Sequence, residues 1–167
     1  YDAHGCQLFT GVTITEPAQA LSISSVVTDK SCNGGINNGA IDITVTGGTG
    51  GYSYAWSTGA TSQDVSGLGV GTYSVAVTDA NGCSVSSSFT INQPLVLGQT
   101  AAITNVNCNA GSNGAISVNT FGGVLPYSYT WSNGQTSEDL STIGAGSYTL
   151  TLTDANSCVS SQTYVVT

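Results

Sequence analysis

The chain has 167 residues, 40% of them hydrophobic but only 6% charged, and Lys30 is its sole Lys or Arg against nine Asp and Glu, for a formal charge of −8. Neutralising phosphates needs clustered Lys and Arg, so nucleic-acid binding is excluded, and electrostatic attachment to anionic lipid fails for the same reason. No run approaches the ~18 consecutive apolar residues of a spanning helix, which argues against membrane insertion.

The chain opens on Asp2-Ala3-His4-Gly5-Cys6, followed by Ile14-Thr15-Glu16-Pro17. The first motif recurs as Asp79-Ala80-Asn81-Gly82-Cys83 and Asp154-Ala155-Asn156-Ser157-Cys158, the second as Ile91-Asn92-Gln93-Pro94. Cys6 precedes Cys83 by 77 residues and Cys83 precedes Cys158 by 75. A fixed period of this length means a tandem array of small units. Residues 1–19 are expected to be the C-terminal end of a preceding repeat, residues 20–94 a complete β-sandwich repeat, and residues 95–167 a second one with its last residues truncated. On this reading the chain is a segment of something longer.

Within the first complete unit the apolar residues alternate, the period of a strand rather than of a helix. Leu21 to Val27 supplies a first strand. An Asn/Gly-rich loop carrying Cys32 follows, and then Ala40 to Thr46, with Ile41, Ile43 and Val45 on one face. After Gly47-Gly48, the run Tyr52-Ser53-Tyr54-Ala55-Trp56 puts both tyrosines and the tryptophan on one side. Ser62 to Leu68 is a short strand. Thr72 to Thr78 places Tyr73, Val75 and Val77 together, and after a turn at Asp79–Gly82 the last strand, Ser84 to Ile91, stops before Pro94, which cannot donate to a sheet ladder. The second unit repeats these features, with Gly122-Gly123, Tyr127, Tyr129, Trp131, Asp139 and Tyr148 at an offset of 75 from Gly47-Gly48, Tyr52, Tyr54, Trp56, Asp64 and Tyr73.

Six or seven short strands per unit, separated by Gly, Asn and Asp turns, predict an all-β chain of tandem immunoglobulin-like β-sandwiches. A tryptophan on a central strand fills the core of such a sandwich, which is the role expected of Trp56 and Trp131. Tyr73 and Tyr148, each just after a Gly at the start of a late strand, are read as tyrosine corners whose hydroxyls bond nearby backbone. The alternative is that these indoles, with Tyr52, Tyr54, Tyr127 and Tyr129, form a platform for sugars. Ser157 replaces Gly82 in the second unit, so the turn there is either strained, at a cost of about 1 kcal/mol, or of another type.

Taken together, Gly-Gly-x-x-(Gly/Pro)-Tyr-x-Tyr-x-Trp-Ser-x-Gly, Gly-x-Tyr, Asp-Ala-Asn-Gly-Cys and a closing Ile-x-x-Pro resemble the SprB-type repeat of Bacteroidetes cell-surface adhesins, with Gly51 where the family usually has Pro, as at Pro126. The resemblance implies a PKD-like sandwich in a very large secreted protein, a cell-surface or extracellular-matrix setting, and gliding motility among its contexts.

Five cysteines recur at matched positions without a CxxC or Cys/His metal spacing, which favours disulfides and an oxidising compartment. Three pairings are open. Pairing within units joins Cys32 to Cys83 and Cys108 to Cys158 and leaves Cys6 for an upstream repeat; this is the expected set, because the long segment Leu21 to Ser31 can cross between the ends of a sandwich. Ordinary sandwich geometry would instead bring Cys32 near Cys158. Pairing across the short junctions would join Cys6 to Cys32 and Cys83 to Cys108.

No cofactor is expected. The only metal candidates are Asp79 and Asp154, joined by Asn81, Asn156 and Asn33 or Asn109, whereas a Ca²⁺ site wants about six to eight oxygens with several carboxylates. Asp also caps turns without any metal. His4 is replaced by Asn81 and Asn156 in the other copies, so no catalytic triad is assembled and an enzyme is not expected. The expected role is a structural and adhesive module of a secreted bacterial surface protein or filament. Its expected partners are neighbouring repeats of the same chain, like chains in a filament, and a surface polysaccharide.

Overall fold

The computed structural model describes residues 19–108 and 111–167. The opening Cys6 motif and its His4 lie outside the described residues. All regular structure described is β, in twelve strands. The first six are β1 (Ser22–Thr28), β2 (Gly39–Thr46), β3 (Ser53–Trp56), β4 (Val65–Leu68), β5 (Gly71–Thr78) and β6 (Ser84–Ile91). They are repeated as β7 (Gly98–Thr104), β8 (Gly114–Phe121), β9 (Ser128–Trp131), β10 (Leu140–Ile143), β11 (Gly146–Thr153) and β12 (Val159–Val166). Each unit forms two antiparallel three-stranded sheets, β1-β2-β4 against β3-β5-β6 and β7-β8-β10 against β9-β11-β12.

The alternation that predicts strands also selects the core. Ile41, Ile43, Trp56, Val75, Val77 and Ile91 close the first sandwich, and Ile116, Trp131, Leu140, Leu150, Tyr164 and Val166 the second. Burying each large apolar side chain contributes roughly 1.5–3 kcal/mol, so losing one is a large fraction of the stability of so small a unit.

The strand registers define two ends for each sandwich. At the upper end of the first unit, β1 begins opposite the end of β2 (Ser22 against Thr46), and β5 turns into β6 (Thr78 against Ser84). At the lower end, Thr28 faces Ala40 and Gly71 faces Ile91, and the Lys30 amide donates to the Asn92 carbonyl at 2.9 Å. The loop bearing Cys32 therefore sits at the lower end and the hairpin bearing Cys83 at the upper.

Gly47-Gly48 shows why glycine is required at the upper end. Both residues have positive φ, 76° and 64°, and a Cβ on Gly47 would run into the Ala20 carbonyl. The arriving chain is held there by the Gly48 amide, which donates to the Gln19 carbonyl at 2.8 Å, as Gly123 donates to Leu95 at 2.9 Å in the second unit. The junction is thus pinned to the unit it enters.

Candidate functional site at the unit junction

The structure joins Cys32 to Cys158 in a disulfide with Cα atoms 5.7 Å apart, and leaves Cys83 and Cys108 as exposed thiols. The expected bonds Cys32 to Cys83 and Cys108 to Cys158 do not form. Their partners lie at opposite ends of one sandwich, separated by eight-residue strands that rise about 3.3 Å per residue, far beyond the roughly 7 Å that a disulfide tolerates. The segment from Leu21 to Ser31 does not cross between ends; its strand β1 pairs with β2 along its whole length. Because units follow head to tail, the lower loop of one meets the upper hairpin of the next.

Short polar contacts surround the bond. The Asn156 side-chain amide donates to the Ser31 carbonyl at 2.9 Å, and the Asn33 amide donates to the Pro94 carbonyl at 3.3 Å. Leu97 enters the second core, 8% exposed, but Leu95 and Val96 stay 78% and 60% exposed. Apolar packing of the junction residues therefore does not weld the units together; the covalent bond and the polar contacts do.

The hairpin that presents Cys158 is built by Asp154. One carboxylate oxygen accepts from the amides of Asn156 and Cys158, both at 2.9 Å, and the other from Val124 at 2.9 Å. Asp79 does the same with Asn81, Cys83 and Thr49. The Thr49 amide above all, together with the amides of Cys83 and Asn81, holds the Asp79 carboxyl below the usual carboxylate range despite burial that opposes it. The two carboxylates considered as Ca²⁺ ligands are thus engaged with backbone amides, and no cluster of three or more His, Cys, Asp or Glu suited to a metal is found among the described residues.

The positive φ of the hairpin falls on Gly82 (82°) and on Ser157 (64°), with matching bonds from Gly82 to the Asp79 carbonyl and from Ser157 to the Asp154 carbonyl, both 3.0 Å. The serine turn is therefore the same turn under strain and not another type, and Asn81 carries no positive φ of its own.

Trp56 and Trp131 are buried, 5% and 2% exposed, and each indole N–H donates at 2.9 Å to a carbonyl, of Ser62 and Ser137 respectively. The tyrosine corners are present: the Tyr73 and Tyr148 hydroxyls donate to Gly69 and Gly144 at 3.0 Å. Asp64 and Asp139 have a role that sequence reasoning did not assign. Where β4 and β10 end their pairing, these carboxylates accept from Ile43 (2.9 Å) and Val118 (2.7 Å), extending the ladder on β2 and β8. Their recurrence at the repeat offset was the available signal.

A family model described as "SprB repeat" matches residues 24–61 and 100–136. At these two places the chain is similar to the SprB repeat. Each match runs from the first strand of a unit to the turn after its tryptophan, and stops short of the tyrosine corner and the Asp-Ala-Asn hairpin. SprB repeats belong to surface-exposed bacterial proteins. A comparison with curated proteins finds no match.

Among solved structures, the chain is similar to the N-terminal eight Ig domains of Down Syndrome Cell Adhesion Molecule isoform 1.30.30 (11% identity, TM-score 0.42, 88% of this chain and 24% of that one). It is also similar to the amphioxus IgVJ-C2 molecule (12%, TM-score 0.37, 88% and 96%). The chain thus spans about a quarter of the first structure, and at TM-scores below 0.5 the likeness carries no argument.

Proposed function

We propose that the two SprB-like repeats are consecutive links of a semi-rigid extracellular stalk on a bacterial surface protein, a structural and adhesive module and not an enzyme. The observation that carries this reading is the Cys32–Cys158 bond, which fastens the lower loop of one sandwich to the upper hairpin of the next. A bond of that kind forms and persists outside the reducing cytosol, in keeping with a secreted or cell-surface location. Such a stalk holds a distal adhesive domain away from the cell or runs within a filament of like chains, and gliding motility is one setting in which it would serve.

The reading as a carbohydrate-binding module finds less support, because both indoles face inward and the Tyr52 hydroxyl donates to the Gly47 carbonyl of its own unit at 2.6 Å. The test is disulfide mapping by mass spectrometry of unreduced, alkylated protein recovered from outside the cell. Cys32 and Cys158 should appear as one linked peptide pair; recovering both as alkylated thiols would refute the stalk.

A further inference from the structure

The two thiols left exposed occupy the same places in the repeat as the two that are bonded. Cys83 stands 75 residues before Cys158 and Cys108 stands 76 after Cys32. Cys83 tops the upper hairpin of the first unit, held by Asp79 as Asp154 holds Cys158. Cys108 sits in the lower loop of the second unit, where the Val106 amide donates to Thr167 at 3.0 Å as Lys30 donates to Asn92 in the first.

The surroundings of the hairpins match as well. Beside Cys158, with Leu97 and Gly123, the Asn33 loop and Pro94 leave a cavity of only about 90 Å³. The corresponding place in the first unit, lined by Cys83, Leu21 and Gly48 with Gln19 and Asp79, is open to about 540 Å³ among the described residues. The two seats share corresponding walls, Leu21 and Leu97, Gly48 and Gly123, Cys83 and Cys158, and the one in the second unit holds its neighbour's cysteine loop.

We propose that Cys83 and Cys108 are half-bonds of the same staple. Cys83 takes the lower-loop cysteine of the repeat before it, and Cys108 is taken by the upper-hairpin cysteine of the repeat after it, so that a disulfide spans every junction of a longer array. This rests on the stalk reading and deepens it. Formation joins two thiol sulfurs and releases two protons and two electrons, which reduce one small-molecule disulfide to two thiols. Pairing is directional, lower loop to upper hairpin, because only those ends meet when sandwiches follow head to tail.

The test extends the full chain after Thr167 with a second copy of residues 93–167, so that the natural Gln93-Pro94 junction follows the second unit. The chain carries Cys6→Ser, and the appended copy carries Cys108→Ser and, as a mass marker, Ser161→Thr. After refolding in a mixture of oxidised and reduced glutathione, peptides of the unreduced protein are mapped. The expected result is Cys32 linked to the original Cys158, Cys108 linked to the marked copy of Cys158, Cys83 still alkylated, and alkylation of Cys108 down at least about tenfold from that in the 167-residue chain. Cys108 remaining alkylated, or linked to Cys83, while the Cys32–Cys158 bond is present overturns the inference alone. Absence of the Cys32–Cys158 bond overturns both the inference and the stalk.

Discussion

The two units share one backbone plan but not one core. In the first, Ile23 pairs with Val45 across β1 and β2, and Phe89 lies 6.2 Å from the Trp56 ring. In the second, the same places hold Gln99 paired with Thr120, and Tyr164 at 6.0 Å from Trp131. Gln99 Oε1 and the Tyr164 hydroxyl are both buried without a hydrogen-bond partner. Leaving such a group unsatisfied costs about 1–3 kcal/mol, and Ser157 adds left-handed strain that Gly82 avoids. The difference teaches that backbone geometry in this repeat is set by a few glycines, aspartates and aromatic residues, while one corner of the core drifts at a price in stability. The second unit should be the weaker, and the staple to the first is what compensates.

Removing the staple tests this most severely. Its sequence separation is 126 residues, and by loop-closure entropy Cys32→Ser should lower stability by about 5 kcal/mol and split melting into two transitions, the second unit first. Calorimetry would show it, and a single unshifted transition would mean that the units do not depend on the bond. Next in size, Trp131→Ala should destabilise its unit by roughly 3–5 kcal/mol, and more of the chain should unfold than after Trp56→Ala because the second unit has less to lose. Urea titration followed by circular dichroism measures both variants.

Tyr164→Phe should act in the opposite direction, stabilising by about 1–2 kcal/mol by deleting the orphan hydroxyl. It should also change the response to alkali. Burial raises the Tyr164 pKa above its ordinary value, so the folded state holds the phenolic proton more tightly than the unfolded state does. The associated stability is fully present below about pH 10 and is lost as pH rises through the folded-state pKa, so the Phe variant should lose part of the alkaline weakening of the second unit. Equal alkaline profiles for the two proteins would remove Tyr164 from the account. The smallest effect is expected from Ser157→Gly, a gain below about 1 kcal/mol, since relieved strain is partly offset by the added freedom of glycine in the unfolded chain. A matched Gly82→Ser exchange should lose a similar amount in the first unit.

Much of this was legible in the residues. Period-two alternation located all six strands of a unit to within a few positions, because each sheet buries one face; Ile41, Ile43, Val75 and Val77 fall on the faces it marks, whereas the core role of Trp56 was read from its place on a central strand of a sandwich. The tyrosine corners were readable from Gly-x-Tyr. The disulfide was legible only as one of several pairings: sandwich geometry points to Cys32 near Cys158, but the expected set let Leu21 to Ser31 cross between ends, which the pairing of β1 with β2 along its whole length rules out. The split within Leu95-Val96-Leu97 was equally hidden: three apolar residues in a row do not show that only Leu97 turns inward while Leu95 and Val96 stay exposed. Asp64 and Asp139 recur at the repeat offset, but that recurrence does not say that a carboxylate replaces a missing ladder partner until β4 is seen to be short.

The placement of the Cys32–Cys158 bond also decides what happens when the chain is pulled. From Leu21 to Thr167 an unfolded chain would stretch on the order of 500 Å at about 3.3–3.6 Å per residue. With the bond in place, tension enters at Leu21, crosses at Cys32 and leaves from Cys158, so the 126 residues of sequence separation are bypassed. Only the 11 residue steps to Cys32 and the nine beyond Cys158 remain in the taut path, roughly 70 Å. Both sandwiches can lose their structure while the tether between their ends scarcely lengthens, which makes the pair a strap of limited stretch, not a spring that pays out slack.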